Sequence, residues 1–244
     1  MQAKKTDIIA RLQKDILSLQ GFKPALAGTV PDVGLGPIEA AFPNASFPIG
    51  VVHEFLCAAK EDAAATDGFI AGLLSALMRG SGVILWISSR RTLFPPALKS
   101  FGVEPDRIIF VDLQKESEVL WAMEEALKCC GLAAVVGELQ EISFTASRRL
   151  QLAVEQSRVT GFILRHQPIK TNVTACVTRW KIRSIPSELN DDLPGIGFPR
   201  LKVELLKVRN GKPGTWDIEW VAGRFRPVSK KVTAIPLEQI KKTG

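Results

Sequence analysis

Hydrophobic residues recur every three to four positions near the start of the chain. Residues 6–20 carry apolar side chains at Ile8, Ile9, Leu12, Ile16 and Leu19. This spacing places them along one side of a helix. We predict an amphipathic helix over residues 1–22, ended by Gly21 and Pro24. Such a stripe needs a partner surface, either on its own domain or on another chain, so these five residues are candidate partner-binding residues.

Residues 23–48 are rich in proline and glycine, which predicts a linker after the first helix. From residue 49 onward, short apolar runs alternate with helical patterns. The predicted strands cover residues 51–56, 83–87, 108–111, 133–136 and 162–164, and the predicted helices cover residues 69–78, 95–101, 116–130 and 147–157. This alternation is typical of a parallel sheet wrapped by helices.

The pattern changes after residue 170, where polar and apolar residues alternate with a period of two. Residues 174–183, 200–208 and 215–221 predict strands, and the last two are joined by the turn Asn-Gly-Lys-Pro-Gly at 210–214. The predicted fold is therefore α/β, with a mostly parallel sheet and flanking helices extended by C-terminal antiparallel strands. We place the core at residues 49–221 and expect a basic, loosely held tail at residues 222–244.

Composition narrows the function classes. The chain has 244 residues, of which 46% are hydrophobic and 23% are charged, as expected for a globular protein. The longest uncharged apolar stretch, residues 68–78, is well short of the ~20 residues that a membrane span requires. The start of the chain does not resemble a signal peptide. We expect a cytoplasmic protein without a membrane partner, in which the four cysteines are buried thiols.

Motifs for cofactor or metal chemistry are absent from the sequence. A P-loop requires G-x-x-x-x-G-K-[ST], but the only Gly-Lys pair is Gly211-Lys212, in the predicted hairpin turn. No complete G-x-G-x-x-G, nucleophile motif or metal-ligand spacing is present. His53 lies in a predicted strand and His166 just after one, which favours structural roles for both. We therefore predict no catalytic residues, no cofactor and no metal.

Positive charge is concentrated in the last third of the chain. Residues 1–164 hold 16 Lys/Arg against 18 Asp/Glu, whereas residues 165–244 hold 16 against 7. Residues two apart on a strand share one face, which suggests a stripe that contacts DNA phosphates. The candidate DNA-binding residues are Arg179, Lys181, Arg183, Lys202, Arg209, Lys212, Arg224 and Arg226. The alternative is a solvated face neutralised by Glu204, Asp217 and Glu219.

Several segments, taken in their order along the chain, resemble known proteins. Residues 35–55, 85–96 and 102–108 resemble the RecA core around its first two strands. More specific are the segments LWAMEEAL (120–127), AAVVGEL (133–139), SRRLQLA (147–153), TRW (178–180) and WDIEW (216–220). Together these segments resemble the ImuA family of error-prone-repair accessory proteins over residues 35–221.

The resemblance implies a RecA-like fold, and the departures from RecA fall at its ATPase site. Residues 57–68 (CAAKEDAAATDG) stand in place of the P-loop and contain three acidic residues, which repel a phosphate. Arg90 aligns with the catalytic glutamate of RecA, and Gly137 aligns with its Walker B aspartate, with Glu138 one residue away. The glutamine that senses the γ-phosphate falls near His166. The resemblance therefore implies a core that does not hydrolyse ATP.

The same resemblance implies a function and partners. ImuA-like proteins act in damage-induced mutagenesis and translesion DNA synthesis, together with ImuB and an error-prone polymerase α-subunit. The expected partners are these two proteins and RecA, with DNA as a further candidate. Two alternatives stay open. One is a degenerate recombinase that still binds DNA or nucleotide, and the other is a cell-division inhibitor similar to SulA.

Overall fold

The protein folds around one mixed β-sheet. The computed structural model describes residues 32–79, 82–90, 92–187 and 197–228. Among these residues the strands are β1 (Val52–Cys57), β2 (Val83–Ser88), β3 (Ile108–Asp112), β4 (Leu132–Leu139), β5 (Thr160–His166), β6 (Thr178–Ile185), β7 (Arg200–Val208), β8 (Gly214–Val221) and β9 (Arg224–Pro227). The helices are α1 (Glu61–Leu77), α2 (Glu116–Ala126) and α3 (Phe144–Ser157), with short 3₁₀ helices between them.

The sheet has the order β3-β2-β4-β5-β1-β6-β7-β8-β9. Strands β1 to β6 pair in parallel, and β6 to β9 pair antiparallel. The predicted fold class is therefore confirmed. All six residues of β1 are buried, as expected for a central strand covered on both faces. Helix α1 covers one face of the sheet, and α2 and α3 cover the other.

Some element boundaries differ from those that the pattern predicts. Helix α1 begins at Glu61, eight residues before the predicted start, because the alanines at 63–65 favour a helix. Helix α2 ends at Ala126, so Cys129 and Cys130 are exposed, contrary to the expectation that all cysteines are buried. Strand β6 begins at Thr178, four residues after the predicted start, and the Thr174 hydroxyl at that predicted start donates to the buried Glu54 carboxylate.

The proline- and glycine-rich segment also differs from a free linker over its described part. Residues 32–48 contribute Val33, Leu35, Ile38, Phe42 and Phe47 to the core beneath α1. The hairpin and the last strand hold this segment in place, since Lys212 N donates to Ala41 O and Phe225 N donates to Gly34 O. Apolar side chains spaced along an irregular segment are therefore enough to anchor it.

The first residues assigned to the basic tail belong to the sheet. Strand β9 pairs with β8, and its Phe225 is buried against Trp220 and Phe69, with ring centroids 4.7 and 5.0 Å apart. Residues 229–244 lie outside the described part of the chain. Among the described residues, no helix combines the length and hydropathy needed to span a bilayer.

Candidate functional site

The carboxyl ends of the parallel strands are where an open α/β sheet usually binds a ligand. Here β1 is followed by Ala58, Ala59 and Lys60, and α1 then begins with Glu61 and Asp62 in its first turn. A helix N-terminus attracts anions through its free N–H groups. Two carboxylates in that turn repel a phosphate, so the position that a P-loop occupies in an ATPase is chemically unsuited to one.

An edge cluster of five side chains fills the same end of the sheet: Cys57, Asp67, Trp86, Glu138 and His166. Trp86 Nε1 donates a hydrogen bond of 2.7 Å to Glu138 Oε1. Glu138 Oε2 lies 3.3 Å from His166 Nε2. The indole and the imidazole therefore share the two oxygens of one buried carboxylate.

Proton affinities in the edge cluster follow from burial and from neighbouring charge. The Cys57 side chain and Glu138 raise the pKa of His166 to about 10, so this imidazole is protonated at neutral pH. Burial raises the pKa of Asp67 to about 7, with a further contribution from Glu138. The charges of His166 and Glu138 in the edge cluster therefore compensate each other. Among the described residues, no group of three potential metal ligands is found.

The other histidine is part of the core. His53 lies between Phe47 and Phe162, with ring centroids 4.4 and 5.4 Å away. Its Nε2 donates to Pro48 O at 2.9 Å, which leaves Nδ1 to accept from the Thr178 hydroxyl at 2.7 Å. Burial lowers the pKa of His53 to about 3, so the ring is neutral and structural.

A buried ion network, which the sequence reasoning missed, lies on the opposite face of β1. Glu54 and Arg165 are fully buried and bond at 2.9 Å, and Arg179 Nε donates to the second Glu54 oxygen at 2.8 Å. Arg165 also binds Glu141 at 2.6 Å and Asn172 Oδ1 at 3.0 Å. The signal was available, because a charged residue inside each of the apolar runs VHEFLC and FILRH must find a buried partner.

The three cations of the predicted basic stripe that belong to β6 lie on one sheet face. Arg179, Lys181 and Arg183 alternate with the buried Trp180 and Ile182 along β6. The alternation therefore puts the three cations on the sheet face opposite α1.

Most arginines of the stripe already have partners. Arg179 forms an ion pair with Glu54, and Arg183 binds Glu204 at 2.9 Å. Arg209 donates to the Ala175 carbonyl at 3.1 Å, and Arg224 lies 3.5 Å from Asp32. Carboxylates therefore pair with three of these four arginines, and the pair of Arg183 with Glu204 is one that the counter-charged alternative named. Lys181 and Lys202 are half-buried, whereas Lys212 and Arg226 are exposed.

The candidate partner-binding residues Ile8, Ile9, Leu12, Ile16 and Leu19 lie outside the described residues. The tryptophans of the C-terminal strands take core positions, since Trp180 and Trp220 are buried. By contrast, Trp121 is 64% exposed on α2.

Comparison with known proteins places this geometry in a family. No family model matches the chain. The chain is 36% identical to the protein ImuA of Caulobacter vibrioides over 194 residues, which cover 75% of the chain and 80% of that relative. It is 29% identical to the cell division inhibitor SulA of Photorhabdus laumondii over 119 residues, or 47% of the chain and 67% of that relative.

The two likenesses differ in extent. The match to SulA of Yersinia pestis is similar in length, with 26% identity over 116 residues and 48% of the chain. The ImuA match combines identity above 30% with coverage of most of both chains. This chain belongs to the ImuA family.

Proposed function

We propose that this protein is a non-enzymatic accessory protein of damage-induced mutagenesis and translesion DNA synthesis. The observation that carries the proposal is the likeness to ImuA along most of the chain. Two features of the fold support it. The helix after β1 begins with acidic residues, and in the edge cluster Glu138 accepts from Trp86 and lies within ion-pair distance of His166. Binding of protein partners, without a cofactor, is the role that agrees with both features.

The partners we propose are an ImuB-like protein, an error-prone polymerase α-subunit and RecA. The stripe Ile8, Ile9, Leu12, Ile16 and Leu19 supplies a candidate contact, since a helix with one apolar face needs a surface to cover it. DNA is a further candidate partner. Its phosphates are expected to contact those candidate cations of β6 to β9 that form no ion pair within the sheet.

A deletion strain tests the function. Loss of the gene is expected to lower the frequency of ultraviolet-induced mutation, and the wild-type gene is expected to restore it. Leu12→Asp is expected not to restore it, because a carboxylate in the apolar stripe prevents burial. Ser18→Asp introduces the same charge on the polar side of the predicted helix and is the matched control. An unchanged mutation frequency in the deletion strain contradicts the proposal.

A pull-down with purified partners locates the contact. The full-length chain is expected to retain at least one of RecA, the ImuB-like protein and the polymerase subunit, and Leu12→Asp is expected to lose it while Ser18→Asp keeps it. Retention by all three forms places the interface elsewhere on the chain. Retention by none rejects the assembly role.

Nucleotide binding separates this proposal from the degenerate-recombinase alternative. A ligand at 100 times its Kd adds ~2.7 kcal/mol to the free energy of unfolding. MgATP at millimolar concentration is expected to leave the Tm unchanged, because acidic residues occupy the first turn of α1. A clear rise in Tm favours the alternative.

The likeness to SulA supports a second candidate function, inhibition of cell division. It ranks below the first because it covers less than half of the chain. If it holds, overproduction of the chain makes cells filamentous and the purified chain binds FtsZ. We expect neither result.

A further inference from the structure

The connection between β5 and β6 (residues 167–177) is held in place by hydrogen bonds although it has no regular secondary structure. The Glu141 carboxylate accepts from the N–H groups of Ile169 and Lys170, at 2.7 and 3.4 Å. Arg165 donates to Lys170 O at 2.9 Å, and Arg179 donates to Asn172 O at 2.6 Å. The buried ion network therefore fixes the path of this loop.

While its polar groups bond inward, this loop presents apolar side chains to solvent. Ile169 is 75% exposed and Val173 is 72% exposed. Phe144, the first residue of α3, is 53% exposed. A loop usually turns its apolar side chains inward and its polar groups toward water, because an apolar side chain contributes to stability only when it is buried. Apolar groups that are ordered and exposed mark an interaction site.

Hydrogen bonds bring these three side chains to one surface. Asn172 Nδ2 donates to Ile142 O at 2.7 Å, and Ala175 N donates to Ser147 Oγ at 2.9 Å. The segment around Val173 therefore runs alongside residues 142–147, where Phe144 begins the helix. Ile169 is tied to the same stretch through Glu141. We call Phe144, Ile169 and Val173 the loop patch.

The charges around the loop patch are positive. Lys170 lies between the two exposed aliphatic residues of the loop and is itself exposed. Arg148 follows Phe144 by four residues, so the two are neighbours on α3, and it is 48% exposed with only a distant ion pair of 3.9 Å to Glu155. The nearby Glu141 is already bonded to Arg165. An approaching partner thus meets apolar groups flanked by two cations.

We propose that the loop patch docks an acidic segment of a partner protein that carries apolar side chains. Acidic residues complement Lys170 and Arg148, and apolar ones cover Ile169, Val173 and Phe144. A second copy of this chain fits poorly, because a symmetric contact brings the same cations together. Single-stranded nucleic acid fits less well than protein, since two of the three apolar residues are aliphatic and offer no ring for base stacking.

Selection of random twelve-residue peptides displayed on phage, with the full-length chain as bait, tests the proposal independently of the mutagenesis role. The selected peptides are expected to be rich in Asp or Glu together with apolar residues. Their affinity, measured by fluorescence anisotropy, is expected to fall at least tenfold in Ile169→Ser/Val173→Ser and in Lys170→Glu, and also with rising salt. All three positions are exposed, so the Tm is expected to stay unchanged.

Leu206→Ser and Lys99→Glu are the matched controls, since Leu206 is 47% exposed on β7 and Lys99 is exposed in the short helix Pro95–Phe101. They are expected to change the affinity less than twofold. Three outcomes overturn the proposal: selection of neutral or basic peptides, no enrichment, or equal loss of affinity in patch and control variants. Binding of a twenty-residue oligothymidylate that depends on the patch assigns it to nucleic acid instead.

Discussion

Arg165→Met removes the centre of the buried ion network without leaving a large cavity. All five N–H donors of Arg165 are used: they bind Glu54, Glu141, Asn172 and the carbonyl oxygens of residues 140 and 170, at 2.6 to 3.2 Å. Methionine satisfies none of these acceptors. The substitution therefore removes one hydrogen-bond donor from the fully buried carboxylate of Glu54.

The loss of stability in Arg165→Met depends on the contacts that Glu54 and Glu141 keep without the arginine. Removing one partner of a buried ion pair costs roughly 3–5 kcal/mol. Glu54 keeps Arg179 at 2.8 Å and Thr174 at 2.7 Å, and Glu141 is 39% exposed and accessible to water, so the lower end applies. A loss of about 3 kcal/mol corresponds to a Tm lower by on the order of 9 °C in a chain of this size.

Urea and thermal unfolding, followed by circular dichroism, measure the effect. Arg183→Met is the matched control, because Arg183 is 44% exposed and its pair with Glu204 lies at the surface. It is expected to cost less than about 1 kcal/mol. Arg165→Lys keeps the charge but loses the planar fork of donors, so it is expected to fall between these two variants. If Arg165→Met and Arg183→Met lose equal stability, the reasoning about burial is refuted.

Three further predictions concern the edge cluster and its neighbours. The pKa of Asp67 is about 7 in the folded protein and near 3.8 in the unfolded chain, so the free energy of unfolding of the wild type falls as the pH rises between these values. Asp67→Asn removes this fall. Between pH 4 and pH 8 its free energy of unfolding, measured with urea, is expected to increase relative to that of the wild type by on the order of 3 kcal/mol. With pKa values of about 3 for His53 and about 10 for His166, neither imidazole is expected to titrate between pH 5 and 8 by NMR. Gly137→Ala places a Cβ 2.6 Å from Met123 Sδ and is expected to cost about 1–3 kcal/mol in thermal unfolding.

Each of these predictions has a contrary result. Equal pH dependence of wild type and Asp67→Asn contradicts a buried, protonated carboxyl group. An imidazole that titrates between pH 6 and 7 contradicts the described environment of that histidine. For the glycine, the control is Gly131→Ala, where a Cβ meets nothing within 4 Å. Equal stability of the two alanine variants contradicts close packing at residue 137.

The core strands were predictable because each is a short apolar run whose neighbours are polar. Strand β4, for example, was expected at residues 133–136 and runs from Leu132 to Leu139. Its last residues escaped prediction because Glu138 is charged. Only the tertiary structure provides the indole and the imidazole that make this charge acceptable inside the protein.

The candidate surfaces depended more strongly on contacts distant in sequence. The period of two along β6 predicted that Arg179, Lys181 and Arg183 share a face, which they do. The period says nothing about counter-charges, and Glu54, 125 residues away, binds Arg179 at 2.8 Å. Whether an arginine of β6 is available to bind a phosphate therefore depends on the tertiary structure. That these cations share one face follows from the strand alone.

By itself, the sequence determined the α/β class, the change from parallel to antiparallel strands and the absence of a P-loop, because periodicity and short motifs are local properties of a chain. Only the tertiary structure decided that residues 32–48 join the core, that β9 completes the sheet, and that Arg165 and Glu54 bury their charges together. These features arise from pairing between distant residues, and the free energy of burial depends on which partner is present.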